Sequence, residues 1–288
     1  MSILAPFEYE FFRNGFVAAL VIGALCGFIG VYVVLRRMSY IGHGLSHAIF
    51  GGAVLSYVWD VNFFIGGGLW ALLSGFLIHG ISRRRWVGAD AAIGVVTTSS
   101  FALGVAIIST HRSFTRNIEA ALFGNILGIT PLDLGIVLVI SLVVFAVLYL
   151  IRRPLLFATF DPEVASAYGI ATGKIDLLFI TLLAVTVLAS TQILGVTLVA
   201  AAMVIPPVIA RYMTQRFQTL LIVSPLIGAF CGAVGMVLSF SLDISSAATI
   251  VLTSAALFIL LELTLLARRA KPRALPPFES RWREQRTP

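Results

Sequence analysis

His43 and His47 stand four residues apart in a stretch that reads RRMSYIGHGLSHA, from Arg36 to Ala48. Side chains spaced by four share one face of an α-helix, so two imidazoles placed this way can reach a single metal ion. The segment that carries them reads as an apolar helix. An ionisable group inside a bilayer is costly enough to mark a pathway or a binding site. With Arg36 and Arg37 at headgroup level, His47 is ten positions beyond Arg37. A rise of about 1.5 Å per residue puts it roughly 15 Å deep, near the middle of a hydrocarbon core of about 30 Å. The chemistry on offer is metal coordination halfway across a membrane. The plainer alternative is a pair of core histidines bonded to backbone carbonyls or hydroxyls.

Composition supplies the membrane. Of 288 residues, 59% are hydrophobic and 11% charged, and the mean hydropathy is +1.01. An ordinary soluble domain carries roughly 25% charged residues, so the fold class is an all-α polytopic integral membrane protein. No Walker sequence, dinucleotide fingerprint or nucleophile elbow stands anywhere in the chain. The chain is therefore read as no enzyme in itself, and whatever energy source it uses comes from an ion gradient or from another subunit.

A net charge of +7 invites a nucleic-acid reading, but its distribution argues against one. Seventeen of the 20 Lys and Arg fall in clusters: Arg36–Arg37, Arg83–Arg85, Arg152–Arg153 with Lys174, Arg211 and Arg216, and Arg268 onward. These clusters separate pairs of apolar segments, as cytoplasmic loops do under the positive-inside rule. Cys26 and Cys231 lie inside apolar segments and read as small core residues, not as a disulfide or thiolate site.

Nine helices can be drawn, at about 15–35, 41–59, 63–82, 91–110, 134–151, 175–190, 193–211, 219–241 and 246–267. Dividing 175–211 differently makes the count eight. With the arginine clusters inside, the N-terminus is external and the C-terminus cytoplasmic. Residues 1–14 form an external segment, 15–267 the transmembrane domain, and 268–288 a basic cytoplasmic tail expected to be disordered. The first apolar run follows Glu8 and Glu10 and reads as a retained spanning helix, not a cleaved signal.

This topology places Glu8, Glu10, Asp60, Glu119, Asp133 and Asp243 outside, against Arg13, Arg112 and Arg116, for an outer charge of −3. An acidic mouth concentrates cations; depletion of Lys and Arg from translocated loops gives the same pattern. Two segments break the regularity. STQILG, Ser190 to Gly195, is either a tight external turn or a helix break lining a cavity. ALFGNILGITP, Ala121 to Pro131, reads as a short interfacial or re-entrant piece.

In order and spacing, these segments resemble the membrane subunit of ABC importers for divalent metals, the zinc/manganese (ABC-3) permease family. RRMSYIGHGLSHAIFGG (Arg36 to Gly52) resembles its second-helix signature, and LFGNILGI (Leu122 to Ile129) its external-loop signature. FDPEVASAYGI (Phe160 to Ile170) is similar to its cytoplasmic loop, and GVTLVAAAMVIPPVIAR (Gly195 to Arg211) to its Gly-to-Pro-Pro helix. The resemblance runs from about residue 15 to 267 and leaves out the tail.

The resemblance implies a homodimer in a prokaryotic plasma membrane, two ATP-binding subunits, and an extracytoplasmic metal-binding protein. It implies a short coupling helix within about 157–174, docked on the ATPase. There Asp161 and Pro162 are helix-start signals, Glu163 lies in the first turn, Ala165 and Ala167 are small, and Gly169 is a stop. The alternative is a solvated loop.

It also implies that the second helix supplies metal ligands, with an aspartate usual where this chain has His43. A second imidazole removes a negative charge and moves preference towards Zn²⁺ and away from Mn²⁺. The metal is cargo, and no cofactor is held permanently. Glu262, inside the last helix, is a weaker candidate ligand or a partner for inner arginines, and Asp243 is a ligand, an entrance residue or a helix cap. His79 reads as interfacial and His111 as a loop histidine.

Three other functions compete. A gradient-driven carrier would move metal against protons without an ATPase. An intramembrane zinc hydrolase needs HExxH, and Gly44 stands where that glutamate belongs. A permease for iron chelates or corrinoids needs a wider path.

Overall fold

The structure is a computed structural model that describes residues 5–82, 86–110 and 123–270. Among them there is no strand. Nine long helices correspond in order to the nine read from the sequence: α1 (Glu10–Leu35), α2 (Ser39–Val58), α3 (Phe63–Ser82), α4 (Ala89–Thr110), α5 (Pro131–Phe160), α7 (Thr172–Leu194), α8 (Val199–Met213), α9 (Phe217–Leu242) and α10 (Ser246–Ala270). The short α6 (Pro162–Ala167) lies between α5 and α7. The tail from Lys271, His111 and Arg83–Arg85 lie outside the described residues.

Among the described residues, seven helices are long and apolar enough to cross a membrane: α1, α3, α4, α5, α7, α9 and α10. The two that fall short do so for different reasons. Helix α8 has only 15 residues, whereas α2 has 20 but contains four glycines, three serines and two histidines. Helix α2 can carry that polarity because α3, α4, α7 and α8 pack around it.

Helix α1 is the central post, packed against α9, α8 and α5. Its seam with α9 is lined by Ala19, Gly23 and Gly27 on one side and Ser224, Gly228 and Gly232 on the other, a small residue every fourth position on each helix. A methyl group on Gly228 would lie 2.0 Å from the Gly23 carbonyl oxygen, so the two backbones touch. Ser224 Oγ donates to the Gly27 carbonyl at 2.6 Å across this contact. Between transmembrane helices there is little hydrophobic gain, and close packing with an interhelical hydrogen bond provides the adhesion.

Two boundaries differ from the sequence reading. The expected fifth helix ended at residue 151, but α5 continues to Phe160 through Pro154. Arg152 marks where the apolar surface ends, not where the helix ends; its guanidinium folds back over the Tyr149 ring at 3.7 Å. The second difference lies at STQILG. Ser190 and Thr191 stay helical because their hydroxyls donate to the carbonyls four residues back, Thr186 at 2.7 Å and Val187 at 2.6 Å. The break falls later, at Gly195, whose φ of +77° suits glycine. The turn is tight and lies inside the protein, with Val196 buried against Phe50 and Val54 of α2 and partly buried Phe101 of α4.

The helices alternate in direction, so the arginines gather at one end. Arg36, Arg37, Arg152, Arg153, Lys174, Arg211 and Arg216 all sit where α1, α5 and α8 end and α2, α7 and α9 begin. Glu8, Glu10, Asp60, Asp133 and Asp243 lie at the other end, where Phe12 of α1 meets Phe240 of α9. There Ile126, in a 3-10 turn over Ile126–Gly128, is buried against α1, and Asn125 N donates to the Gln192 carbonyl at 3.3 Å.

Candidate functional site

Both histidines lie on α2, four and eight positions into a helix of 20 residues. His47 is therefore about 12 Å along an axis of about 30 Å. Their rings face one another edge to face, centroids 4.4 Å apart and planes at 78°. Tyr40 flanks His43 at 5.4 Å, and Phe101 of α4 stands edge-on to His47 at 5.2 Å. Both imidazoles are partly buried, and among the described residues neither is hydrogen-bonded to a carbonyl or hydroxyl. The core-histidine alternative needs such bonds. Ser46, between them, donates its hydroxyl to the His43 carbonyl at 2.8 Å and so settles its own polarity within the helix.

Two bare imidazoles at this distance can share one ion, each nitrogen standing at roughly 2.0–2.1 Å from a zinc. They make half of a tetrahedral shell. Among the described residues no third His, Cys, Asp or Glu joins them. Asp243 closes α9 in the left-handed conformation (φ 53°) at the acidic end, away from the pair. Glu262 lies in the later turns of α10, partly buried, with one carboxylate oxygen lacking any hydrogen-bond partner among the described residues. The side chain of Arg268 lies outside those residues. His79 lies at the end of α3 and lines a pocket of about 440 Å³ with Ser166, Thr172 and Lys174 at the arginine-rich end.

On the acidic side of His47 lies a cluster of apolar groups. The Phe101 ring contacts both the His47 ring and Phe50, 5.0 Å away, and Val196 packs onto the same cluster. The Trp70 indole N–H is hydrogen-bonded to Ser100 Oγ, tying α3 to α4 beside it.

Helix α6 has the ends its sequence promised. Asp161 accepts from Val164 N at 3.0 Å, Pro162 stands first in the helix, and Gly169 follows with φ +82°. Ala165 is buried against the protein itself, while Asp161, Pro162, Glu163, Ala167 and Gly169 are exposed. Beside them stand Phe160 at 68% exposure and Tyr168 at 78%, two large side chains that sequence patterning passed over. Exposed aromatics next to a capped single-turn helix, beyond the end of the apolar span, suit a protein partner.

Arg36 is the other residue missed. The sequence reading made it one of several topological arginines at headgroup level, but its side chain is only 10% exposed. Its Nη1 lies 2.8 Å from Asp176 Oδ1 and its Nε donates to Thr159 Oγ1 at 2.9 Å. No periodicity could have paired it with a residue 140 positions away; the only signal was an acidic residue, Asp176, near the start of an apolar helix.

Comparison with known proteins gives consistent results. The family model described as the ABC 3 transport family matches residues 8–264. The manganese transport system membrane protein MntC of Halalkalibacterium halodurans is 34% identical over 253 residues, 88% of this chain and 87% of that protein. The chelated iron transport system membrane protein YfeC of Yersinia pestis is 35% identical over 260 residues, 89% and 87% of the two chains. Among solved structures, PsaBC from Streptococcus pneumoniae in complex with Fab superposes with a TM-score of 0.81 at 28% identity, covering 90% of this chain and 94% of the other.

Proposed function

The chain belongs to the ABC 3 transport family, and from that membership we propose that it is the membrane permease of an ATP-driven importer for divalent metal ions. It is a multi-pass protein of a bacterial inner membrane. The observation that carries the metal reading is the His43/His47 pair, two imidazoles with ring centroids 4.4 Å apart and no hydrogen-bond partner among the described residues, on a 20-residue helix that is not apolar enough to count as a span.

Two copies of the chain form the pathway, N-termini outside, and the second copy or water supplies the ligands missing from each pair. A binding protein delivers the ion at the acidic end, where negative charge favours cations. The ATP-binding subunits sit under α6, taking Phe160 and Tyr168 into their grooves. Alternating access opens the Phe50, Phe101 and Val196 cluster on one side of the pair and then a route between helix ends on the other. The histidine pair holds the ion only weakly, since an ion that must leave cannot be held by a complete rigid shell.

Imidazole in both positions favours Zn²⁺, the borderline cation, over oxygen-preferring Mn²⁺. The names of the relatives, manganese for one and chelated iron for another, set the class of cargo as metal. This chain's own His43 is the argument for zinc.

The test is uptake into proteoliposomes that hold the chain alone, or the chain with an ATP-binding subunit and a binding protein. Uptake of Zn²⁺ that requires both ATP and the partner subunits is the expected result. Uptake by the chain alone, driven by a proton gradient, would overturn the importer in favour of a secondary carrier.

A further inference from the structure

Arg36 closes α1, and the turn that follows it is stitched tightly to both helices. Arg36 N donates to the Tyr32 carbonyl at 2.9 Å, Met38 N to Val33 at 3.0 Å, and Ile41 N to Met38 at 2.9 Å. Between them Arg37 takes the left-handed conformation, φ 57°, which turns the chain into α2. The Arg36 backbone is thus joined to the start of the helix that carries His43, which lies four residues beyond Ser39, about 6 Å along that helix.

Its side chain reaches the two strands of chain that flank α6. Thr159, which receives the Nε bond, is two residues before the α6 cap Asp161. The Thr159 hydroxyl donates its own proton to the Leu155 carbonyl at 2.6 Å, which leaves its lone pairs to the guanidinium. Asp176, which receives Nη1, lies in the first turns of α7, just beyond α6. The guanidinium carbon sits 4.8 Å from the centre of the buried Phe179 ring. Arg36 Nη2 is buried without a hydrogen-bond partner among the described residues.

That last feature separates this contact from a simple surface tie. Arginine recruited only to anchor a loop would keep its spare N–H groups in water, because leaving them buried and unpaired is costly. A planar fork held by two acceptors and an aromatic face fixes direction as well as distance. Helix α6 has few other attachments: Ala165 is its one fully buried residue, and Tyr168 just beyond it touches Phe157 at 5.9 Å.

We propose that Arg36 is a positioning residue that locks both flanks of α6 to the base of α2, so that movement of α6 displaces the histidine pair. Resting on the reading of α6 as the ATPase-coupling helix, it names the link by which hydrolysis reaches the metal path. Push α6, and Thr159 and Asp176 carry Arg36 with them; the stitched turn then passes the motion to α2.

The experiment measures metal uptake and ATP hydrolysis in the same proteoliposomes, using the full complex with Zn²⁺ as the probe. Arg36→Gln removes the charge and the fork, and Asp176→Asn removes only the ion pair at a half-exposed position, so it serves where the first variant folds poorly. The expected result is uncoupling. In Arg36→Gln the complex assembles and hydrolyses ATP within about twofold of the parent, while ions moved per ATP fall at least tenfold. Asp176→Asn shows a several-fold fall, and Arg36→Lys recovers part of the ratio.

Uptake and hydrolysis that decline in parallel with the amount of folded complex, or a parental ratio in both variants, would overturn the proposal. Ala167→Arg, on the exposed face of α6, checks the reading beneath it and should prevent the ATP-binding subunit from co-purifying. Full assembly and uptake in Ala167→Arg would overturn the coupling reading and the Arg36 link together. Loss of assembly there, with a parental ratio in the Arg36 and Asp176 variants, would overturn the link alone.

Discussion

Helices α1 and α9 meet along a seam of glycine, alanine and serine, while α2 and α4 meet around two histidines and a phenylalanine. Both contacts are close, and both contain polar groups. In the first, every polar side chain named here finds a partner: Ser224 bonds to Gly27, and Cys26 Sγ lies 3.3 Å from Ser190 Oγ of α7, whose hydroxyl donates back to Thr186. In the second, two imidazoles are left with no hydrogen-bond partner among the described residues. The contrast separates polarity that serves packing from the polarity that the proposed function assigns to a ligand. A buried polar group that is satisfied locally stabilises at little cost, whereas the two imidazoles are only partly buried and keep their ring nitrogens free for another partner.

Breaking the seam has the largest expected effect. Gly228→Leu places a side chain where even a methyl lies 2.0 Å from a carbonyl oxygen, so α1 and α9 must separate. A cost upwards of about 3 kcal/mol is expected, read as loss of monodisperse protein after detergent extraction. Recovery at the parental yield would contradict the packing described.

Substituting the histidines should do the reverse. His47→Ala is expected to leave extraction yield and thermal midpoint nearly unchanged and to lower ATP-dependent uptake at least tenfold. A fall in stability with uptake per folded molecule preserved would move the pair to the packing side of the comparison.

A smaller change sharpens the chemistry. His43→Asp puts a negative oxygen in place of an imidazole nitrogen, and the ratio of Zn²⁺ to Mn²⁺ uptake should fall several-fold. An unaltered ratio would mean that selection occurs elsewhere, in the binding protein. Least of all is expected from Ser190→Ala, since its hydroxyl serves its own helix: about 1 kcal/mol or less in thermal unfolding, and no change in uptake.

The helices were legible because apolar runs of membrane length leave little ambiguity, and nine of them reappear in order. Where the reading slipped, the sequence signal had been assigned the wrong consequence. Arg152 ends the apolar surface but not the helix, which runs on to Phe160; Ser190 and Thr191 have the composition of a break, but hydroxyls bonded to the preceding turn are at ease in α7. The histidine pair was legible from its spacing alone. Its bareness was not, because that depends on what α4 and α8 present to it. Arg36 could not be read as buried, for its partners come from α5 and α7, far along the chain. The exposure of Phe160 and Tyr168 likewise becomes visible only once α6 is placed.

The central claim is that the ion passes the two imidazoles of α2, and one measurement addresses it directly. Zn²⁺ uptake would be followed in proteoliposomes containing the assembled complex, with parent, His43→Ala and His47→Ala permeases at matched amounts of bound ATP-binding subunit. The account predicts that both variants assemble fully and lose ATP-dependent uptake. Full uptake in both, with assembly equally intact, would contradict it and leave the fold standing without its metal path.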